Sequence, residues 1–151
     1  MSIDEQYDKL YRYCFFKLHN RNLAEDVTQE TFLRCLERYE NLSGESALKC
    51  LYTIARNLCI DEFRRSKREA DSELQPEEAD EDDALTRIAV RSALEKLEES
   101  ERELLLLRYV NNLSVSAIGA ILGISRFAAH RKITSASKRF RARLQEEDIY
   151  G

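Results

Sequence analysis

The sequence predicts an all-α protein with two small helical domains joined by a flexible acidic linker, the second domain containing a helix-turn-helix. Helices are favoured because the 151 residues include only four glycines and one proline, too few for the many turns of a strand-rich fold. The linker is favoured because residues 71–83 carry eight acidic and no basic side chains and show no apolar periodicity. We therefore predict domains over residues 1–69 and 85–151, with the linker at 70–84.

The first domain is predicted to contain three amphipathic helices. The first covers residues 4–19, and the second begins at a cap on Asn22, where Glu25 completes a capping box, and ends near Tyr39. The third covers about residues 46–68. Helical spacing assigns to the core Tyr7, Leu10, Tyr11, Cys14, Phe15 and Leu18 of the first helix, Val27, Thr31, Phe32, Cys35, Leu36 and Tyr39 of the second, and Leu48, Leu51, Tyr52, Ala55, Leu58, Cys59 and Phe63 of the third.

The second domain is predicted to contain four helices. Ser100 and Glu103 have the spacing of a capping box for a helix that runs through about Val110. Ahead of that helix, apolar periodicity resumes at Leu85, Ile88, Ala89, Leu94 and Leu97.

The last two helices have the spacing of a helix-turn-helix. A short helix from Ser114 to Leu122 precedes a tight turn, and a long helix follows from Ser125 to about Leu144. Gly123 suits the left-handed backbone that the turn needs, and Gly119 allows the helices to approach closely. Between residues 126 and 143 there is no acidic side chain, and the basic ones are Arg126, Arg131, Lys132, Lys138, Arg139, Arg141 and Arg143. This charge pattern is typical of a helix that enters the major groove of DNA.

The third helix of the first domain carries a second basic stripe on its outward side. The residues along or beside one face are Arg56, Asn57, Arg64, Arg65, Lys67 and Arg68. Asn and Arg side chains hydrogen-bond to bases and phosphates, although by itself such a stripe is also compatible with a solvated face. The thirteen residues of the acidic segment can span about 45 Å at ~3.4 Å per residue, so both basic surfaces can reach one DNA.

The second helix carries an acidic outer face. Asp26, Gln29 and Glu30 share it with Leu33 and Glu37, opposite the predicted core side. An exposed polar face is usually only solvated, but an acidic face with apolar residues in a DNA-binding protein is also a candidate surface for a protein partner.

The remaining sequence features exclude other classes of protein. The two histidines, His19 and His130, are far apart, and neither a metal-ligand spacing nor a Gly-rich phosphate loop occurs, so we predict no enzyme, no metal site and no cofactor. No apolar run approaches the ~18 residues of a membrane span, so we expect a cytoplasmic protein without membrane insertion. Buried free thiols are predicted at Cys14, Cys35, Cys50 and Cys59, because no pair has the Cys-x-x-Cys spacing.

Several of these segments together resemble one known family. Leu113 to Arg143 is similar to the second DNA-binding domain of the extracytoplasmic-function (ECF) group of bacterial sigma-70 family sigma factors. The segments similar to that family's polymerase-binding and promoter-element domain are Ala24–Phe32, Gly44–Ser46, Leu51–Asn57 and Asp61–Arg65. The resemblance covers nearly the whole chain in order, leaving only the linker unconstrained.

The resemblance implies an alternative sigma factor that binds core RNA polymerase at its clamp and flap regions, recognises promoter DNA and helps to open the duplex. An anti-sigma factor is also implied as a partner. The residues implied to dock on the polymerase clamp are Asp26, Gln29, Glu30 and Phe32. Those implied to contact the −10 element are Asn41, Leu42, Ser43 and Gly44, in a loop that holds a flipped base, and Arg56, Asn57, Asp61, Arg64 and Arg65. Those implied to contact the −35 element are Ser125, Arg126, Ala128, His130, Arg131 and Lys132.

The chain departs from the family pattern at a few positions. Cys50 stands where a Trp is common, Ala47 replaces an aromatic residue, and the −35 helix opens with Phe127-Ala-Ala129 where the family has a run of small residues. The alternative interpretation is a helix-turn-helix regulator that is not a polymerase subunit. That alternative explains residues 114–144 but not the acidic face of the second helix.

Overall fold

The computed structural model describes residues 3–40, 44–69 and 84–150, and all regular structure in these ranges is helical. The helices that contact one another form two groups, which belong to two compact units. The first unit contains α1, α2 and α3, and the second contains α4, α5 and α7. The helices are α1 Ile3–Leu18, α2 Arg21–Arg38, α3 Glu45–Glu69, α4 Ala84–Glu95, α5 Glu99–Leu105, α6 Val115–Leu122 and α7 Arg126–Tyr150. The all-α prediction is confirmed, whereas residues 70–83 of the predicted acidic linker lie outside the described ranges.

The first unit has a core rich in aromatic rings and thiols. Tyr13 of α1 and Tyr52 of α3 are both buried, with ring centroids 5.6 Å apart in an edge-to-face arrangement. Tyr7 and Phe32 join α1 to α2 at the same centroid distance. Each aromatic pair stabilises the unit by about 0.5–1.5 kcal/mol beyond the burial of its area. These contacts hold α2 and α3 with their polar faces outward.

The predicted cap of α2 at Asn22 is wrong, because Asn20 takes that place. The Asn20 backbone is extended, and its side-chain oxygen accepts a hydrogen bond from the Leu23 amide at 3.0 Å. The preceding residue, His19, has φ 53° and turns the chain at the end of α1. That turn leaves Asn20 as the first residue able to satisfy the amides of α2.

In the first unit, two residues assigned to the core by helical spacing are exposed. The exposed fraction is 51% for Leu36 and 43% for Phe63. In α2 the buried positions are taken by Thr28 and Thr31, whose hydroxyls donate to the carbonyls four residues earlier at 2.6 and 2.7 Å. Because those hydroxyls are satisfied within the helix, threonine can occupy the buried face. Leu36 lies on the same helix but outside the side that is covered.

In the second unit the predicted capping box of Ser100 and Glu103 is also wrong. Helix α5 begins two residues earlier, where the Glu98 amide donates to the Glu101 carboxylate at 3.1 Å. Ser100 is exposed inside the helix, and Glu103 is buried. Both pairs have the three-residue spacing of a capping box, and a run so rich in glutamate does not distinguish them by pattern alone.

The segment after α5 is helical through Val110, as expected, but its last turn widens into a π-helix over Leu106–Val110. The Asn111 amide closes this turn on the Leu106 carbonyl at 2.9 Å. Of the apolar residues at which periodicity resumes, Leu97 is buried beside Ala93, whereas Ile88 of α4 is 63% exposed.

The predicted helix-turn-helix is confirmed, including the backbone conformation of its turn and the close approach of its two helices. Gly123 has φ +72°, the left-handed conformation that the turn needs. A Cβ on Gly119 would lie 2.9 Å from the Ile124 carbonyl oxygen, so only glycine permits this approach of α6 to the turn. Ser114 and Ser125 cap α6 and α7, each accepting an amide hydrogen bond at 3.0 Å.

Candidate nucleic-acid and protein interfaces

One ridge of α7 faces away from the core of the second unit. Ala129, Ile133 and Ala136 are buried on one side of the helix. Helical spacing places on the opposite side the exposed residues Phe127, Arg131, Thr134 and Lys138, which we call the α7 ridge. The ridge therefore presents a ring, two cations and a hydroxyl in a line along the helix.

The side chains implied to contact the −35 element cluster at the start of α7. Arg126, His130, Arg131 and Lys132 are exposed there, while Ala128 is half-buried. The Ser125 hydroxyl is exposed too, but it already accepts a hydrogen bond from the Ala128 amide. Gly123 sets the direction in which this end of α7 projects.

The basic side chains of α7 fall into two classes. Arg139 is paired with Glu101 of α5 at 3.1 Å, and Arg143 with Glu146 at 3.3 Å. Arg131, Lys132 and Lys138 make no ion pair with any residue whose side chain is described. The cations open to an anionic partner therefore begin near the N-terminus of α7 and extend to Arg141, which is also exposed.

The outward side of α3 carries the residues implied for the −10 element. Asn57, Asp61 and Arg64 are exposed at spacings of four and three residues, so they lie along one ridge. Arg56 is half-buried, and Arg65 forms an ion pair with Glu62 at 2.7 Å. Gly44 is exposed immediately before α3, while Asn41, Leu42 and Ser43 lie outside the described residues.

The outer face of α2 combines acidic and apolar side chains. Asp26, Gln29 and Glu30 are all exposed, and Glu30 pairs with Arg34 at 2.8 Å. Leu33 is 60% exposed among them, and Leu36 extends the apolar area that helical spacing alone had assigned to the core. We call Asp26, Gln29, Glu30, Leu33 and Leu36 the α2 face.

Phe32 differs from the other residues implied to dock on polymerase. It is only 7% exposed, and its ring packs against Tyr7 of α1. A contribution of Phe32 to docking would therefore be indirect, through the position of α2 relative to α1.

The four cysteines are free thiols, of which Cys50 alone is not fully buried. Burial raises the pKa of the Cys35 thiol to about 12, and the adjacent Cys50 adds to the shift. A hydrogen bond with Cys59 lowers the pKa of Cys14, against the opposing effect of burial. Across the described side chains, no three His, Cys, Asp or Glu residues come together as a metal site.

None of the described helices is both long enough and apolar enough to cross a bilayer.

Comparison with known proteins assigns both units to one family. Residues 3–69 match Sigma-70 region 2, and residues 87–143 match Sigma-70, region 4. Two similar sequences are the ECF RNA polymerase sigma factors BldN of Streptomyces coelicolor and SigL of Mycobacterium tuberculosis, each 32% identical to the chain. The BldN match covers 80% of the chain and 50% of BldN, and the SigL match covers 95% of the chain and 86% of SigL.

A solved structure shares the fold. The sigma factor RpoE from Bartonella quintana superposes with a TM-score of 0.71 over 92% of this chain and 91% of RpoE, at 20% sequence identity. Along the chain, region 2 precedes region 4. The chain belongs to the sigma-70 family of RNA polymerase sigma factors, in its extracytoplasmic-function group.

Proposed function

We propose that separate surfaces of this alternative sigma factor bind its separate partners. Alternative sigma factors are initiation factors that bind core RNA polymerase and promoter DNA and are not enzymes. Residues 1–69 dock on polymerase and contact the −10 element. Residues 85–151 contact the −35 element and the polymerase flap, and residues 70–84 connect the two domains. Because its partner is RNA polymerase, the protein acts in the cytoplasm.

The observation that carries the proposal is the charge distribution on α7. Arg131, Lys132 and Lys138 remain without an ion pair to a described side chain, whereas Arg139 is held by Glu101. Cations that are not neutralised within the protein are those that can release counterions from DNA phosphates. The capped, exposed N-terminal turns of α7 would enter the major groove and contact the −35 element.

The −10 assignment is supported by the ridge on α3. Asn57 and Arg64 lie on the same face of α3, two helical turns apart, with Asp61 between them. Asn and Arg can donate to base edges, and Asp can accept from an exocyclic amine such as that of cytosine. Gly44 would border the pocket for a flipped base at the start of α3.

The polymerase assignment is supported by the α2 face. Its exposed leucines, Leu33 and Leu36, follow Asp26, Gln29 and Glu30 along the same side of α2, so that apolar area borders polar groups. This is the composition of a protein interface, with an apolar centre and a polar rim. The polymerase clamp is the partner proposed for it.

An anti-sigma factor is a further proposed partner. RpoE of Bartonella quintana was solved in complex with the anti-sigma factor NepR, and the present chain has the same fold. The proposal predicts a protein that binds this chain in competition with core polymerase. If such a protein binds this chain without lowering the amount of core polymerase bound to it, the proposal is contradicted.

Run-off transcription with core polymerase on a library of promoters tests the main proposal. We expect transcripts that depend on the added chain, from templates that share a −10 and a −35 element. A helix-turn-helix regulator would instead bind DNA without association with core polymerase, and co-purification with core separates the two. Absence of both transcripts and a complex with core would overturn the proposal.

A further inference from the structure

The first turn of α7 exposes an aromatic ring. Phe127 is 72% exposed, more than any other large apolar side chain among the described residues. Its neighbour Arg126 places its guanidinium over the ring, 5.3 Å from the centroid, at a distance typical of a cation–π contact. The ring is thus held on one side by a cation and open on the other.

The position of Phe127 on the helix is as informative as its exposure. It lies one turn before Arg131 and on the same ridge as Lys138, opposite the buried Ala129 and Ile133. In a helix-turn-helix, the first residues of the second helix approach the base edges, while flanking cations contact phosphates. A side chain in the first turn of the outermost ridge would therefore face a base edge.

The chemistry of a phenyl ring limits what it can recognise there. Phenylalanine has no donor or acceptor with which to read the hydrogen-bonding edge of guanine, adenine or cytosine. The one apolar group that standard bases present in the major groove is the 5-methyl group of thymine. We infer that Phe127 recognises the methyl group of one thymine in the −35 element, an inference that rests on the proposed −35 role of α7.

Arg126 has a defined part in this arrangement. Its guanidinium lies over one side of the ring, and on DNA its charge would favour a phosphate beside the base that Phe127 contacts. Phe127 then adds specificity for one base pair, while Arg126, Arg131 and Lys138 supply charge.

The experiment uses the full chain bound to core polymerase and a −35 duplex selected from a random library by the wild-type complex. Each thymine of the selected element is replaced in turn by deoxyuridine, which removes the 5-methyl group and leaves every donor and acceptor in place. We expect the affinity of the wild type to fall about fourfold at one position, the effect of burying one methyl group.

Variants of the chain complete the test. Phe127→Ala should bind the thymine and deoxyuridine duplexes equally at that position, and Phe127→Leu, which keeps an apolar contact, should retain part of the preference. Ile88→Ala removes another exposed apolar side chain of the same unit, on α4, and should keep the full preference. Core polymerase affinity is measured in parallel for every variant.

The outcomes are distinct. A wild type that is insensitive to every deoxyuridine, or Phe127→Ala with an unchanged thymine preference, overturns the inference. So does a loss of core polymerase affinity in Phe127→Ala with the thymine preference intact, because the ring would then contact protein. If the wild-type complex selects no −35 element at all, the proposed −35 role of α7 fails instead.

Discussion

The guanidinium of Arg139 lies 3.1 Å from Oε1 of Glu101, and the same carboxylate oxygen accepts the Glu98 amide at 3.1 Å. One side chain therefore both caps α5 and ties it to α7. Glu101 is largely shielded from solvent, while Arg139 is about half exposed. The contact also neutralises the charge of Arg139, one of the basic residues of α7.

The two functions of Glu101 can be separated by substitution. Glu101→Gln keeps an acceptor for the Glu98 amide but loses the charge, so the free energy of unfolding should fall by about 0.5–1 kcal/mol, less at high salt. Glu101→Ala loses the cap as well and should cost about 1–2 kcal/mol. Urea denaturation at two salt concentrations measures both, and equal losses for the two variants would contradict the double role.

The α2 face is tested with the double variant Asp26→Ala, Gln29→Arg. We expect weaker binding to core polymerase, because both side chains are exposed on the face that carries Leu33 and Leu36. Since neither is buried, the free energy of unfolding should change by no more than about 0.5 kcal/mol. Asp8→Ala, an exposed acidic residue of α1, is the matched control. Unchanged affinity for core would remove the docking assignment.

Arg131→Ala and Lys132→Ala should both weaken −35 binding, but with different signatures. Loss of a base contact costs about 1–3 kcal/mol and relaxes specificity at one position, whereas loss of a phosphate contact lowers the salt slope by about one. Salt titrations of −35 duplex binding by each variant in complex with core distinguish these signatures. Arg91→Ala on α4 serves as an exposed-cation control. If neither variant differs from it, α7 is not the recognition helix.

Gly119→Ala should destabilise the helix-turn-helix. The added methyl would meet the carbonyl oxygens of Ile124 and Ser125 at 2.9 and 3.3 Å, and backbone atoms cannot move aside without shifting the turn. We expect a loss of about 1–3 kcal/mol by thermal or urea unfolding. Gly44→Ala is the matched control, since nothing lies within 4 Å of its Cβ position. Equal stability of the two variants would show that α6 can move away from the turn.

The thiols should differ in reactivity. Near pH 8, iodoacetamide should modify Cys50 first, because it alone is partly exposed. Cys35 should resist, since burial raises its pKa to about 12 and the thiol stays protonated at all lower pH values. Mass spectrometry of the native chain over time gives the order. Modification of Cys35 at the rate of Cys50 would mean that α2 and α3 separate readily.

The backbone of the helix-turn-helix was predictable from the sequence, whereas the caps of α2 and α5 were not. Gly123 adopts the left-handed backbone because its position in the turn requires it, and Gly119 has no side chain because a carbonyl occupies that space. Ser114 and Ser125 cap the helices that follow them. The α2 and α3 faces that carry Asp26 and Asn57 are exposed as their helical spacing indicated.

Tertiary packing decided which apolar and charged side chains stay available. Helical spacing shows which side of a helix is apolar, but it does not show whether a neighbour covers that side. Spacing therefore predicts Leu36 and Phe63 in the core, whereas both are exposed. Likewise, a count of basic residues in α7 does not reveal that Arg139 is paired with a carboxylate of α5. Burial and ion pairing depend on contacts between residues that are distant in the sequence, and these contacts form only when the helices pack together.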